Sequence, residues 1–357
     1  MNDNYAVDLG VIGLGNIARL HCDRLQKAGH GDRISAGLDV DPEARNQFAA
    51  QYDTTVHEDQ FELYEAVDAV LVTTPNKFHE EYVVNALEAG LDVFVEKPLA
   101  HTVESAERIA AAAEEADGFV MVGFHNRFRS PVQALLGYRD DGTMGEIDHI
   151  EANYLRRRGI PGRGSWFTRE ALAGGGSLID IGVHAIDLSL YLLGFPEVVE
   201  VSGRTRAAFG TDDEYAYVSM WGEDHGPEGF DVDDSASAFI RCANGVTVSL
   251  EAAWAVNRPD SQAYYVRGTD AGAELDLGDD SLVLYETRRG GVDHHRTSTI
   301  ETAGDNAHAI ELERFVDSVA AGEPPGTNTV EEALTVQRVM DAIYRSSETG
   351  RAVSLVD

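Results

Sequence analysis

Lysine is almost missing from this chain of 357 residues: Lys27, Lys77 and Lys97 are the only three among 28 basic residues, which face 62 Asp and Glu. The net charge of −34 repels phosphate backbones and anionic lipid, and no basic run offers a local exception. Nucleic-acid and membrane partners are therefore not expected. Cysteine is scarce as well. Cys22 and Cys242 are the only two, too few for a disulfide framework and without the CxxC spacing of a zinc site, which points to a reducing cytoplasm. No apolar run of 18 or more residues occurs, and the start MNDNYAVDLGVIG has no basic leader region, so a soluble, unexported chain is expected.

What is present is ordinary for a globular protein, with 43% hydrophobic and 25% charged residues and a length that exceeds one core, so two domains are expected. The acidic residues are spread along the whole chain rather than gathered in a tail. This composition resembles that of proteins adapted to high intracellular salt. At about 1 M salt the Debye length falls to about 3 Å, which screens repulsion among surface carboxylates.

The first third alternates short apolar runs with amphipathic stretches. Segments 7–12, 34–39, 69–73, 93–96 and 119–123 read as strands, and 17–27, 42–52, 78–89 and 103–116 as helices. Strands such as AVLVT and FVMVG are nearly continuous in apolar residues, the mark of a parallel sheet covered on both faces. Beyond about residue 125 the rhythm changes to longer alternating runs, 147–158, 198–206, 235–241, 246–255 and 263–267, which read as antiparallel strands. Helical patterns at 307–321 and 330–347 close the chain and are expected beside the sheet, and 210–234 is the longest insertion loop.

Between the first strand and helix lies Gly13-Leu14-Gly15-Asn16-Ile17-Ala18. In this context the first glycine permits a tight turn, the second lets backbone amides approach a pyrophosphate, and the alanine keeps helix and strand close. Gly13, Gly15, Asn16 and Ile17 then lie at a helix N-terminus, whose dipole and free N–H groups favour phosphate. Asp39 ends the second strand, where a carboxylate would bond the adenine ribose diol. Two like charges about 4 Å apart cost roughly 4 kcal/mol at an effective dielectric near 20, so Asp39 favours NAD over NADP. Arg45, close by, keeps NADP open. Lys97, in Glu96-Lys97-Pro98, stands at the carboxyl end of another parallel strand, where open sheets bind ligands.

Taken together, GLGNIA, TTPNKFH, EKP and GGGSLIDIGVHAIDL resemble the Gfo/Idh/MocA family of oxidoreductases over most of the chain. The resemblance implies α/β architecture: an N-terminal Rossmann domain with a doubly wound parallel sheet (1–125), then a C-terminal α+β domain with a large open mixed or antiparallel sheet (126–357). It implies that Thr74, Pro75, Asn76 and His79 line the nicotinamide side, that Glu96 and Lys97 approach the nicotinamide ribose and the substrate, and that Lys97-Pro98 is cis. Segment 123–128, with Asn126, faces cofactor or substrate.

Asp180 and His184 are four apart in a helical pattern and so share a face; in the family they form an Asp-x-x-x-His pair. Taking a hydride from an alcohol requires a base for the hydroxyl proton, and imidazole, with a pKa near 6.5, suits that task. His184 is read as that base, with Lys97 as the alternative, and Asp180 as the group that orients the hydroxyl. Gly174-Gly175-Gly176 permits a close turn into this helix, with Ser177 as its N-cap. Arg156 and Arg158 share one strand face, and with Trp166 they suit a polyhydroxylated substrate; in so acidic a chain the arginines could equally pair with carboxylates. No cluster has metal-ligand spacing, so no metal is expected.

The expected activity is NAD(P)-dependent hydride transfer on a secondary alcohol or carbonyl of a sugar, cyclitol or sugar derivative. The alternatives are an NADP-linked aldose or dihydrodiol dehydrogenase and a non-catalytic dinucleotide-binding regulator, the latter disfavoured because Lys97, Asp180 and His184 are all present. The open sheet needs covering, so a homodimer or homotetramer is expected.

Overall fold

Leu9–Ile12 (β1) is buried at every position and ends at Gly13, whose φ of +86° turns the chain sharply into the first helix. In the computed structural model, which describes residues 7–218 and 220–356, this strand is the centre of the first of two sheets. Its neighbours are β2 (Ile34–Leu38), β3 (Thr55–His57), β4 (Ala69–Val72), β5 (Asp92–Val95) and β6 (Val120–Val122), all parallel, in the order β3-β2-β1-β4-β5-β6. Helices α1 (Asn16–Ala28), α2 (Pro42–Tyr52), α3 (Gln60–Tyr64), α4 (His79–Glu88) and α5 (Val103–Glu115) connect them. The order reverses between β1 and β4, which creates the crevice at the carboxyl ends where doubly wound sheets bind nucleotides.

The second sheet is mixed, with nine strands in the order β14-β13-β12-β11-β7-β10-β9-β8-β15. They are β7 (Ile147–Leu155), β8 (Val198–Arg206), β9 (Ser235–Cys242), β10 (Thr247–Ala253), β11 (Ser261–Gly268), β12 (Ala271–Asp276), β13 (Ser281–Gly290), β14 (Val292–Ile300) and β15 (Val353–Ser354). Every pair is antiparallel except β7 with β10, so the sheet is mixed, as the resemblance allowed, although the alternation alone read as antiparallel. One face buries Ile150, Ala152, Ile240, Val248, Leu250, Tyr264 and Leu275. Helix α8 (Val183–Leu192) packs against β7 and β10. The opposite face leaves Phe239, Tyr265 and Tyr285 more than two-fifths exposed. Helices α6 (Ser130–Asp140) and α7 (Glu170–Ala173) precede α8.

The chain divides into two compact units: one runs through His125 and takes in Asn306–Gln337, while the other holds Asn126–Asp305 and the chain from Arg338 onward. The sequence division at 125/126 marks the first crossing. It did not contain the return of α9 (Ala307–Ala321) to the first unit, where α9 packs on α1. Asn328 explains part of that return: its main-chain oxygen accepts from Val122 N and its side-chain amide donates to Val122 O, both at 2.9 Å, while Met121 bridges Thr329. These bonds cover the free edge of β6, with α10 (Val330–Thr349) following directly. The expectation of no leader region rests partly on residues 1–6, which lie outside the described residues. By length and average hydropathy alone, Glu170–Leu192 is apolar enough to cross a membrane. Glu170, Asp180 and Asp187 merely interrupt its apolar run, and 83% of that window is buried within the protein, as in a core helix.

Candidate active site

The glycine loop is braced from both sides. Gly13 N donates to Leu38 O at 2.8 Å, and Thr73 Oγ1 donates to Gly13 O at 2.6 Å. A Cβ on Gly13 would lie 2.9 Å from Thr74 N, whereas one on Gly15 would meet nothing within 4 Å. Gly13 is thus required by the turn itself, while Gly15 faces open space above the N-terminus of α1. That helix has no side-chain cap and no acidic residue in its first turn, so its dipole and free N–H groups remain available to an anion. Asp39 holds the loop too: its carboxylate accepts from Leu14 N at 2.7 Å and from Asp41 N at 2.8 Å. Arg45 spends its guanidinium on the main-chain oxygen of Asp39 and on Glu58. These features fit a dinucleotide with an unphosphorylated adenine ribose.

At the end of β4, Thr74 Oγ1 is buried without a hydrogen-bond partner among the described residues, a polar atom that a ligand could satisfy. Pro75 and Asn76 follow in the same turn. His79 is fully buried, with Nδ1 3.0 Å from Pro98 O and Nε2 3.0 Å from Thr74 O. Burial lowers its pKa against the pull of these two carbonyls, and a neutral ring can donate to only one of them. His79 therefore ties the Thr74 turn to the Lys97-Pro98 turn and presents no free ring nitrogen to a ligand. The Lys97-Pro98 bond is cis, as the resemblance implied.

Glu96 shows what the sequence did not. One carboxylate oxygen lies 2.5 Å from Nε2 of the fully buried His21 on α1, and the other accepts from Lys97 N at 3.1 Å. Burial pushes the Glu96 carboxyl up, but the His21 hydrogen bond and the charges of His21, Lys97 and His308 outweigh it and hold the pKa at about 2. His308 lies 5.9 Å from His21 between ring centroids and stacks on His125 at 3.8 Å. A Cβ on Gly123 would approach Glu96 Oε2 to 3.2 Å. The main chain that carries Lys97 is thus fixed by a charged carboxylate anchored in α1.

In the second unit, Asp180 lies in a π-helical turn, Leu178–Gly182, that runs into α8 and so into His184. Such turns widen a helix locally and recur at functional sites. Asp180 and His184 are 7% and 6% exposed. Asp180 Oδ2 accepts from the indole Nε1 of the buried Trp254 at 2.8 Å and from Arg156 at 3.4 Å. Burial works against the charge on Arg156, but Asp180 and Tyr154 outweigh it, so its pKa is raised. β7 ends at Leu155, so Arg156 and Arg158 follow the strand rather than lie within it. Arg158 instead donates to Arg157 O and Asn257 and lies over the Phe209 ring.

Ser177 does not cap the helix with its own side chain. Its hydroxyl donates to Asp233, whose carboxylate also accepts from Gly176 N, Leu178 N and Tyr344. A Cβ on Gly176 would come within 1.8 Å of Asp233 O. Asp233 thus supplies the negative charge favoured at a helix start. Asn126 is buried at the entry to the second unit. Asp187, three residues beyond His184, takes the guanidinium of the buried Arg127, with bonds of 2.5–3.2 Å. Trp166 is 37% exposed and meets Phe167. Among the described residues, no group of three or more His, Cys, Asp or Glu side chains could hold a metal ion.

A parallel sheet of this order, with a glycine loop and an acidic strand end at its switch point, defines a dinucleotide-binding oxidoreductase domain. Residues 7–124 match the model of the oxidoreductase family with NAD-binding Rossmann fold, and residues 132–274 match the GFO/IDH/MocA C-terminal domain. The chain belongs to the Gfo/Idh/MocA family. It is 35% identical over 290 residues to D-glucoside 3-dehydrogenase of Escherichia coli (strain K12), spanning 81% of this chain and 79% of that protein. It is 26% identical to scyllo-inositol 2-dehydrogenase (NAD(+)) of Bacillus subtilis (strain 168), spanning 98% of this chain and 97% of that one. A solved levoglucosan dehydrogenase in complex with NADH has the same fold, with a TM-score of 0.83 over 98% of this chain and 99% of that one, at 21% identity.

Proposed function

We propose that this protein oxidises a secondary alcohol of a sugar, cyclitol or sugar derivative, or reduces the corresponding carbonyl, with NAD as cofactor. The observation that carries this reading is Asp180, a nearly buried carboxylate bonded to Trp254 and Arg156 one turn before His184. A nearly buried carboxylate held by an indole and a guanidinium is fixed in orientation, as a group that orients a substrate hydroxyl must be. His184 takes the hydroxyl proton as the C–H bond breaks, and Lys97 stabilises the charge that develops on oxygen. Bound NAD supplies the hydride acceptor. The glucoside and inositol dehydrogenases among the relatives support the substrate class.

The cofactor ligands are Gly13, Gly15, Asn16, Ile17, Asp39, Thr74, Pro75, Asn76, Glu96, Lys97 and Asn126, with His79 acting through the turns it joins. Arg156 and Trp166 serve the substrate; Arg158, held by loop atoms, supports the wall around it. The open face of the second sheet is covered in a homodimer or homotetramer, and the acidic coat adapts a cytoplasmic protein to molar salt. The test is a panel of sugars, cyclitols and sugar acids in molar KCl, followed by nicotinamide absorbance with NAD and NADP in parallel. Turnover of a polyol with NAD is expected. NAD binding without turnover of any of them would restore the non-catalytic regulator.

A further inference from the structure

The chain has three tryptophans, and they are unequally placed. Trp254 is fully buried, while Trp166 is 37% and Trp221 47% exposed. Both exposed indoles meet the same ring: Trp166 lies 4.9 Å from Phe167 at 67°, and Trp221 lies 4.7 Å from it at 88°. Phe167 in turn lies 6.1 Å from Trp254, the indole that bonds Asp180. Two exposed indoles therefore stand one phenyl ring away from the group that holds Asp180, the carboxylate proposed to orient the substrate hydroxyl.

This exposure is built into the fold. Gly162 N donates to Trp221 O at 3.1 Å, and Tyr217 donates to Gly222 O at 2.8 Å. Gly222 has φ of +82°, and a Cβ there would lie 2.8 Å from Gly162 Cα, so the two segments meet main chain to main chain. The guanidinium of Arg163 grips Asp224 at 2.7 and 3.1 Å, and His225 N donates to Arg163 O. The insertion loop thus fixes Trp221 beside the segment that leads to Trp166. A large aromatic surface left in water forgoes the gain of burial, so two rings held out together mark a surface made for a ligand.

We propose that Trp166 and Trp221 form a second carbohydrate subsite that stacks against the ring next to the reacting one. The substrate is then a neutral glycoside or disaccharide rather than a free monosaccharide. Indole faces suit the apolar C–H faces of a pyranose, and the acidic chain disfavours phosphorylated sugars. The proposal rests on the sugar oxidation proposed above, because it is Asp180 that makes the adjoining position a sugar site.

The test is calorimetric titration of the full chain saturated with NADH, using a panel of monosaccharides each paired with its disaccharide. At least one disaccharide should bind about tenfold tighter than its monosaccharide, the scale of one good aromatic contact. Trp221→Ala should abolish the difference and Trp221→Phe retain most of it; because the indole is exposed, circular dichroism should show both variants folded. Equal affinities within every pair, or a preference unchanged in Trp221→Ala, would overturn the proposal. So would a variant that loses only self-association in sedimentation, which would make the rings a contact between copies of this chain. If the preference depends on Trp221 but no sugar is oxidised with NAD, the subsite stands and the proposed reaction fails.

Discussion

The main chain of Lys97 owes its position to a carboxylate and an imidazole. Its main-chain N–H is held by Glu96, and Glu96 by His21. Lys97→Ala and His184→Ala should each lower kcat by about 10²–10⁴-fold by stopped-flow turnover, with NAD affinity nearly unchanged in His184→Ala and weakened in Lys97→Ala by equilibrium titration; wild-type turnover in both would remove them from the chemistry. The Glu96 pKa of about 2 is depressed in the folded state, so its contribution to stability is complete above its ordinary value near 4.5 and is lost as pH falls from there towards 2. His21→Ala removes the donor responsible. The variant should lose stability at neutral pH and show a weaker acid dependence of its thermal midpoint below about pH 4.5, and an unchanged acid limb would refute the coupling. None of this could be read locally, since His21 and Glu96 are 75 residues apart and neither belongs to a motif that names the other. Asp39, by contrast, was legible because its spacing from the glycines reflects one βαβ unit.

At the level of elements, the glycine loop separates structural from ligand-driven demands. Gly13→Ala meets both a left-handed φ and a 2.9 Å approach to Thr74 N, a combination that should cost about 1–3 kcal/mol and lower the thermal midpoint. Gly15→Ala has ordinary φ and empty space around it, so it should keep the wild-type midpoint while weakening NAD at least tenfold. Equal NAD affinity in Gly15→Ala would show that no phosphate approaches there. Five of the six parallel strands were legible because they are short, largely apolar runs. β3 was missed because three residues at a sheet edge, half in solvent, carry no pattern. β14 and the second half of β13 carry no strand pattern because residues 287–297 are exposed on both faces, which erases the alternation that betrays a strand. Ser177 stands at the N-cap as read, but the use of its hydroxyl was hidden for the same non-local reason as His21: Asp233 reaches it from 56 residues away.

For the molecule as a whole, the charge of −34 is the dominant property. Among the described residues many ion pairs are Arg with Asp or Glu at the surface, each worth little alone. They cannot offset repulsion among 62 carboxylates. The denaturation midpoint should therefore rise as KCl increases from 0.1 M to 2 M, through screening as the Debye length shortens from about 10 Å to 3 Å or less; a midpoint flat or falling across that range would remove salt adaptation as the reason for the acidic coat. Composition made this property legible, whereas the route of the chain was not. Since Asn306–Gln337 belongs to the first unit, that unit cannot be completed in the order in which it is translated. After His125 emerges, the ribosome must still make the whole of Asn126–Asp305, a wait on the order of ten to forty seconds at about 5–20 residues per second. Until Asn328 arrives to close it, the edge of β6 is an open template for another chain. A nascent or truncated product ending near residue 125 is thus a substrate for chaperones rather than a free-standing nucleotide-binding domain.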